Sequence, residues 1–228
     1  MGVDRALIVA AILIALGGAY VLFVRSERTV SPLSTASSTP QEIHITTASV
    51  REETDSHLID VKYPQFGIPT IDSDIKDKVE VALAEFRDYP ANPPESVVVK
   101  NEFTGTFEDV YVGPNVVSVK LILSQYTGGA HPMTIVSGLN YDRATGRQLL
   151  QQNAFEMLGL TAEEISAQVT TELKEKLDDA FFEEGANSNP ENFSSFAISK
   201  DTVTFIFQAY QVGPYAAGPQ EVSFTRTK

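Results

Sequence analysis

The chain has 228 residues, 43% apolar and 21% charged, with 30 acidic side chains against 17 basic ones and neither Cys nor Trp. The net charge of −13 excludes a nucleic-acid binder, because a polyanion must be met by a basic face. Without cysteine there is no disulfide, thiolate zinc site, thiol nucleophile or iron–sulfur cluster, and 13 Phe provide for a core that needs no such staple.

Residues 6–24 carry no charge, and as a helix at ~1.5 Å per residue they span about 28 Å, close to the hydrocarbon core of a bilayer. A cleaved signal peptide is the rival reading, since Gly17 and Ala19 offer a small-residue cut. The apolar run continues to Val24, however, and cleavage there would leave an apolar N-terminus. An uncleaved anchor over residues 1–25 is expected. The flanking charges balance, so the positive-inside rule gives no direction. A short tail, one span and a long polar region is the arrangement of a signal anchor, which places the C-terminal part outside the cytoplasm. Residues 1–28 hold three basic and two acidic side chains, leaving 14 and 28, a net −14 that argues against a grip on anionic lipid. Residues 26–41 read as a spacer, because eight of the ten residues 31–40 are Ser, Thr or Pro and cannot bury enough apolar surface to fold.

Beyond this the composition becomes globular. Residues 42–50 are rich in β-branched side chains and 58–63 alternate, predicting two strands, the second stopped by Pro64. Asp72, Ser73 and Asp74 offer caps to a helix whose apolar positions Ile75, Val79, Leu83 and Phe86, joined by Ala82, keep helical spacing up to Asp88. Residues 97–107, 110–112 and 116–126 read as strands, with a turn at Gly113, Pro114 and Asn115, and an antiparallel meander is expected.

A second lobe is expected from Tyr126-Thr127-Gly128-Gly129-Ala130-His131-Pro132 onward. It enters a strand at 135–141, turns at 142–146 and has a further strand or turn before Phe155. Thr161 with Glu164 forms a capping box for a helix presenting Ile165, Val169, Leu173, Leu177 and Phe181, closed by Gly185. Strands return at 195–198, 202–210 and 221–226, the last after a Gly- and Pro-rich stretch at 213–219. Helices and strands are segregated, so the class is α+β: two small lobes, each an antiparallel sheet with one principal helix, preceded by a single transmembrane helix.

Three stretches carry a family resemblance: VKYPQF at 61–66, QYTGGAHPMT with NYDRATGRQL at 125–134 and 140–149, and FQAYQVGPYAAGPQEVSF at 207–224. Together they resemble the extracytoplasmic domain pair of RsiV-like anti-sigma factors, which sense lysozyme, and of PdaC-type peptidoglycan deacetylases. The resemblance implies a PdaC-type domain over residues 42–126 and its companion domain of unknown function over 127–228. It also implies a surface-exposed binding or sensing module of a bacterial envelope. Only residues 1–5 precede the span, so no counterpart to a sigma-binding segment is expected. The deacetylase chemistry of PdaC-type enzymes belongs to a separate histidine-rich metal-binding domain, and no counterpart to it is expected.

The residues themselves show little chemistry. His44, His57 and His131 are the three histidines and none lies at helical zinc-site spacing from another, so neither a metal nor a cofactor is expected. There is no Gly-x-Ser-x-Gly elbow and no phosphate loop. The pairs Glu52-Glu53, Glu163-Glu164 and Glu183-Glu184 are sequential neighbours, which point apart on a helix and read as solvated faces. His131, beside Tyr126 and after a double glycine, reads either as a ligand-contacting group or as a ring that bonds nearby backbone and fixes the turn. Tyr210 and Tyr215 read either as an aromatic binding loop or as inward-packed rings. The candidate binding residues are therefore Tyr126, His131, Tyr210 and Tyr215, with no catalytic residue assigned. The expected function is a membrane-anchored, non-catalytic envelope module. Its expected partner is peptidoglycan or a basic lysozyme-like protein, which the acidic ectodomain would attract. A peptidoglycan-acting hydrolase or deacetylase using His131 is the alternative.

Overall fold

A computed structural model describes residues 43–93, 95, 96, 98 and 100–227. The anchor expected at 1–25 and the spacer at 26–41 lie outside them. Among the described residues no helix is long and apolar enough to cross a membrane.

Five strands form the first sheet in chain order: β1 (Thr46–Glu53), β2 (His57–Gln65), β3 (Asn101–Val112), β4 (Val116–Tyr126) and β5 (Met133–Asp142). The antiparallel pairing expected over 97–126 holds between β3 and β4, with the strands expected at 97–107 and 110–112 joined into one bulged strand β3. Strand β5 adds antiparallel to β4, but β2 and β3 run parallel, which makes the sheet mixed. The crossover responsible is helix α1 (Pro69–Arg87), which lies between the two strands in sequence and lets the chain return to enter β3 in the same direction. Pro64 does not stop β2. Its pairing with β3 ends at Val61, so a residue without an N–H costs no ladder bond on that side, and Pro64 sits opposite Thr47 of β1. Helix α1 also begins earlier than its expected caps, with Pro69 in the first turn, where a missing N–H is harmless. Asp72 reaches back instead, accepting from the Phe66 N–H at 2.6 Å. The apolar stripe of Ile71, Ile75, Val79, Leu83 and Phe86 covers Ile59, Val61, Phe103, Val119 and Leu121 of the sheet.

Helices α2 (Gln151–Leu158) and α3 (Ala162–Leu177) cover a three-stranded antiparallel sheet of β6 (Phe196–Ile198), β7 (Thr202–Phe207) and β8 (Gln220–Thr225). This half thus has two helices where one was expected. The Thr161–Glu164 capping box starts α3: Thr161 Oγ1 accepts from the Glu164 N–H, and Glu164 accepts in return from the Thr161 N–H at 2.8 Å. The α-helix stops at Leu177 rather than continuing past Phe181, because Asp178 turns to φ +49 and opens a 3₁₀ turn at Asp178–Ala180. Phe181 still packs on the same core, so the four-residue spacing reported a burial pattern that a changed backbone preserves. Phe155, Phe193, Phe205 and Phe224 fill this core edge to face, with Phe193 and Phe205 centroids 5.3 Å apart.

The strand expected to open the second lobe is β5, which pairs with β4 over ten residue positions and closes the edge of the first sheet. The second sheet abuts it there. Gly138 of β5 lies so close to Phe196 of β6 that a β-carbon would overlap the Phe196 carbonyl. Side chains, not a ladder, bond this seam: Gln208 bonds both the N–H and the carbonyl of Val136, and Ser195 Oγ bonds Gly138 N and Val136 O. Beneath it Ser118 Oγ accepts from Ile198 N at 2.9 Å and donates to Asn140 Oδ1 at 2.7 Å, while Asn140 Nδ2 donates to Phe196 O at 2.6 Å. Residues 43–228 cluster as one compact unit.

Candidate functional site

The β4–β5 connection supplies the first part of the site. Gly128 takes φ +90, a conformation open to glycine, and Tyr126 at the end of β4 closes the turn by donating its hydroxyl to Gly129 O at 2.9 Å. His131 leaves this turn with its ring fixed at both nitrogens: Nδ1 lies 3.0 Å from Pro132 O and Nε2 lies 3.2 Å from the Tyr210 hydroxyl. A carbonyl only accepts, so Nδ1 carries the proton, and in the neutral ring Nε2 accepts from Tyr210.

The β7–β8 connection supplies the second part. Gln208 is held on β5, and Gln211 donates to the Gly185 and Asn192 carbonyls, so the chain between them is pinned at both ends. Tyr210 is thrust outward at φ +70 and is 59% exposed. A bulky residue in that region is held there only by surrounding contacts, and such strain concentrates at functional surfaces. The 3₁₀ turn Tyr215–Ala217 follows, ended by Gly218 at φ +67. Tyr215 donates to Pro132 O at 3.0 Å, and its ring stacks on His131 with centroids 3.4 Å apart and planes 14° from parallel. Tyr210 tilts against both rings.

The structure therefore brings His131, Tyr210 and Tyr215 into one solvent-facing aromatic cluster and places Tyr126 as the buttress of its turn. His131 bonds nearby backbone, as the turn-fixing reading expects, and its ring is also part of the aromatic cluster. With Nδ1 on a carbonyl and Nε2 on a phenol, the imidazole is fixed in orientation and stacks its ring on Tyr215.

A second histidine arrangement escaped the sequence reading. His57 Nε2 meets Glu52 Oε1 at 2.7 Å, and Arg87 at the end of α1 donates to Glu52 Oε2 at 2.9 Å. These hydrogen bonds, that of His57 foremost, hold the Glu52 carboxyl below its ordinary range. The cluster clamps α1 to the first sheet. No spacing rule finds it, because Glu52 and Arg87 are 35 residues apart.

The family models and the curated and structural relatives agree with this architecture. Residues 50–134 match the family model described as Deacetylase PdaC, and residues 153–227 match Protein of unknown function (DUF3298). The chain pairs a PdaC-type domain with a DUF3298 domain. Among similar proteins is the peptidoglycan-N-acetylmuramic acid deacetylase PdaC of Bacillus subtilis, 28% identical over 172 residues, covering 73% of this chain and 37% of that protein. Another is the immunogenic protein MPT64 of Mycobacterium tuberculosis, 24% identical over 141 residues and covering 60% of each. The chain thus spans about a third of the one and three fifths of the other. A crystal structure of a DUF3298 family member from Bacteroides fragilis shares the fold with a TM-score of 0.53 at 18% identity, covering 80% of this chain and 90% of that one. The aromatic cluster draws His131 from the PdaC-type domain and Tyr210 and Tyr215 from the DUF3298 domain.

Proposed function

We propose that this chain is a membrane-anchored, extracytoplasmic module that binds the bacterial cell wall, held to the membrane through residues 6–24, and that it performs no catalysis itself. The single observation carrying the reading is the His131–Tyr210–Tyr215 cluster at the surface. Two of its rings are stacked and half-buried, its polar tips are bonded, and the third ring, Tyr210, is exposed at a strained backbone position. Flat rings with fixed phenols suit the apolar faces and hydroxyls of sugars. The family matches add support, since the PdaC of Bacillus subtilis is named for peptidoglycan.

The test is co-sedimentation of the full chain, kept soluble in neutral detergent, with purified peptidoglycan sacculi at low and moderate salt. Pelleting at both, reduced by Tyr210→Ala, is expected. A protein that stays in the supernatant overturns the reading and directs the search to a basic protein partner, drawn by the acidic ectodomain in a salt-dependent way. The name of the same relative favours a second reading, a peptidoglycan deacetylase. Acetate released from muropeptides and abolished by His131→Ala would establish it over the binding role.

A further inference from the structure

We propose that the open face of the first sheet is a furrow for an extended, uncharged glycan strand that ends on the aromatic cluster; this deepens the cell-wall reading and rests on it. The strand register builds the furrow. On the face opposite α1, Glu53, Leu58, Glu102 and Tyr126 stand across from one another on four successive strands. Two residues further along each strand, a second row runs parallel through Arg51, Asp60, Thr104, Ser124 and Thr134. Same-face neighbours on a strand are about 6.6 Å apart, so the two rows form a strip about that wide from row to row, and four strand intervals at ~4.8 Å make it about 19 Å long. Two shallow depressions lie along it, one at the β1–β2 edge lined by Arg51, Glu52, Glu53, Leu58, Ile59 and Asp60 and the other by Glu102, Thr104, Ser124, Tyr126 and Pro132.

The far end reaches the cluster through Pro132, whose carbonyl receives the hydrogen bonds of both His131 and Tyr215. The second sheet covers this face only at its other end, where Ile122 packs on Ala197 and Ile206 and Lys120 meets Glu221. The floor is stiff because its reverse side carries the buried core under α1.

The chemistry of the lining selects the occupant. Three successive strands present the hydroxyls of Thr104, Ser124 and Thr134, the last two bonded to each other at 2.8 Å and still able to give or accept further bonds. Asp60 is paired with Arg51 and Glu53 with Lys100, while no described residue bonds the exposed Glu102 carboxylate or Thr104 hydroxyl. A free carboxylate accepts from sugar hydroxyls and amides and repels anions. Hydroxyls, two ion-paired carboxylates and one free carboxylate leading to the aromatic cluster fit the polar edges and apolar faces of a neutral sugar chain, and disfavour a polyanion or an acidic peptide.

The test titrates the full chain in neutral detergent with N-acetylglucosamine and its linear tri- and hexasaccharides, alongside the sacculus pelleting above. The hexasaccharide is expected to bind at least tenfold more tightly than the monosaccharide. Thr104→Ala and Glu102→Gln, both exposed and checked for fold by circular dichroism, are each expected to weaken it about three- to tenfold. Equal binding by wild type and both variants overturns the furrow. So does pelleting with sacculi without any hexasaccharide binding, which leaves the cell-wall reading standing on another component. Hexasaccharide binding that the variants weaken, without pelleting, upholds the furrow and removes the sacculus. Neither kind of binding defeats both.

Discussion

Asn140 shows how one side chain joins two sheets. It is fully buried, accepts from Ser118 with its oxygen and donates to the Phe196 carbonyl with its nitrogen. Replacing it by Leu leaves the Ser118 hydroxyl proton and the Phe196 carbonyl without these partners in a dry interior, at about 1–3 kcal/mol for each. A clear drop in Tm is expected for Asn140→Leu, and an unchanged Tm would mean the seam is held elsewhere. Lys120 is the charged counterpart, with a side chain 6% exposed against Asp109 and Glu221, each at 2.6 Å. Burial alone would lower its pKa, but hydrogen bonds to these carboxylates raise it to about 12, above the ordinary 10.5. Its stabilisation is therefore complete below about 10.5 and fades as pH rises through about 12. Lys120→Met should lose stability at neutral pH, and its gap from wild type should close in that alkaline window. Glu52 has the opposite sign. Its lowered pKa stabilises the fold above the ordinary 4.5 and is lost as pH falls, so the deficit of Glu52→Gln, followed by thermal melts, should vanish in acid. None of these three partnerships is legible in the sequence, since each joins positions brought together by the fold, as Lys120 and Glu221 are across 101 residues.

At the scale of elements, local signals read well where they were strong and periodic. The stripe on α1, the capping box of α3 and the Gly113–Asn115 turn, where Gly113 N bonds Val116 O at 2.8 Å, all stand where the residues place them. Thr161→Ala removes one side of the box and should cost about 1 kcal/mol, measurable by denaturant titration. Leu83 is fully buried under the first sheet, and Leu83→Ala should cost about 2–5 kcal/mol through lost contacts and a cavity. Misreadings arose where a single residue was weighed without its neighbours. Pro64 reads as a strand breaker until it is known that β2 has lost its β3 partner there. Helix α2 is only eight residues long, too short for periodicity to declare itself; Asn153 Oδ1 bonds Leu150 N at its start, and Gly159 at φ +65 ends it.

At the scale of the whole molecule, the aromatic cluster is half legible. Its members stood out as a histidine after a double glycine and as tyrosines in a Gly- and Pro-rich loop, but whether the rings face outward or inward is left open by composition. That His131 bonds a phenol 79 residues away, and stacks on a second ring, is a property of the seam between sheets. Gly138 is the point of closest approach in that seam, and Gly138→Ala should force β5 and β6 apart, lowering stability and weakening sacculus binding together. Composition, charge and periodicity by themselves determined the α+β class, the apolar 6–24 segment and the helix stripes, because these depend on neighbours in the chain. Only the tertiary structure decided the parallel β2–β3 pair, the placing of β5 in the first sheet, the Lys120 and Asn140 networks and the meeting of His131 with Tyr210 and Tyr215. Those rest on distances between residues far apart in sequence, which packing sets and local pattern does not encode.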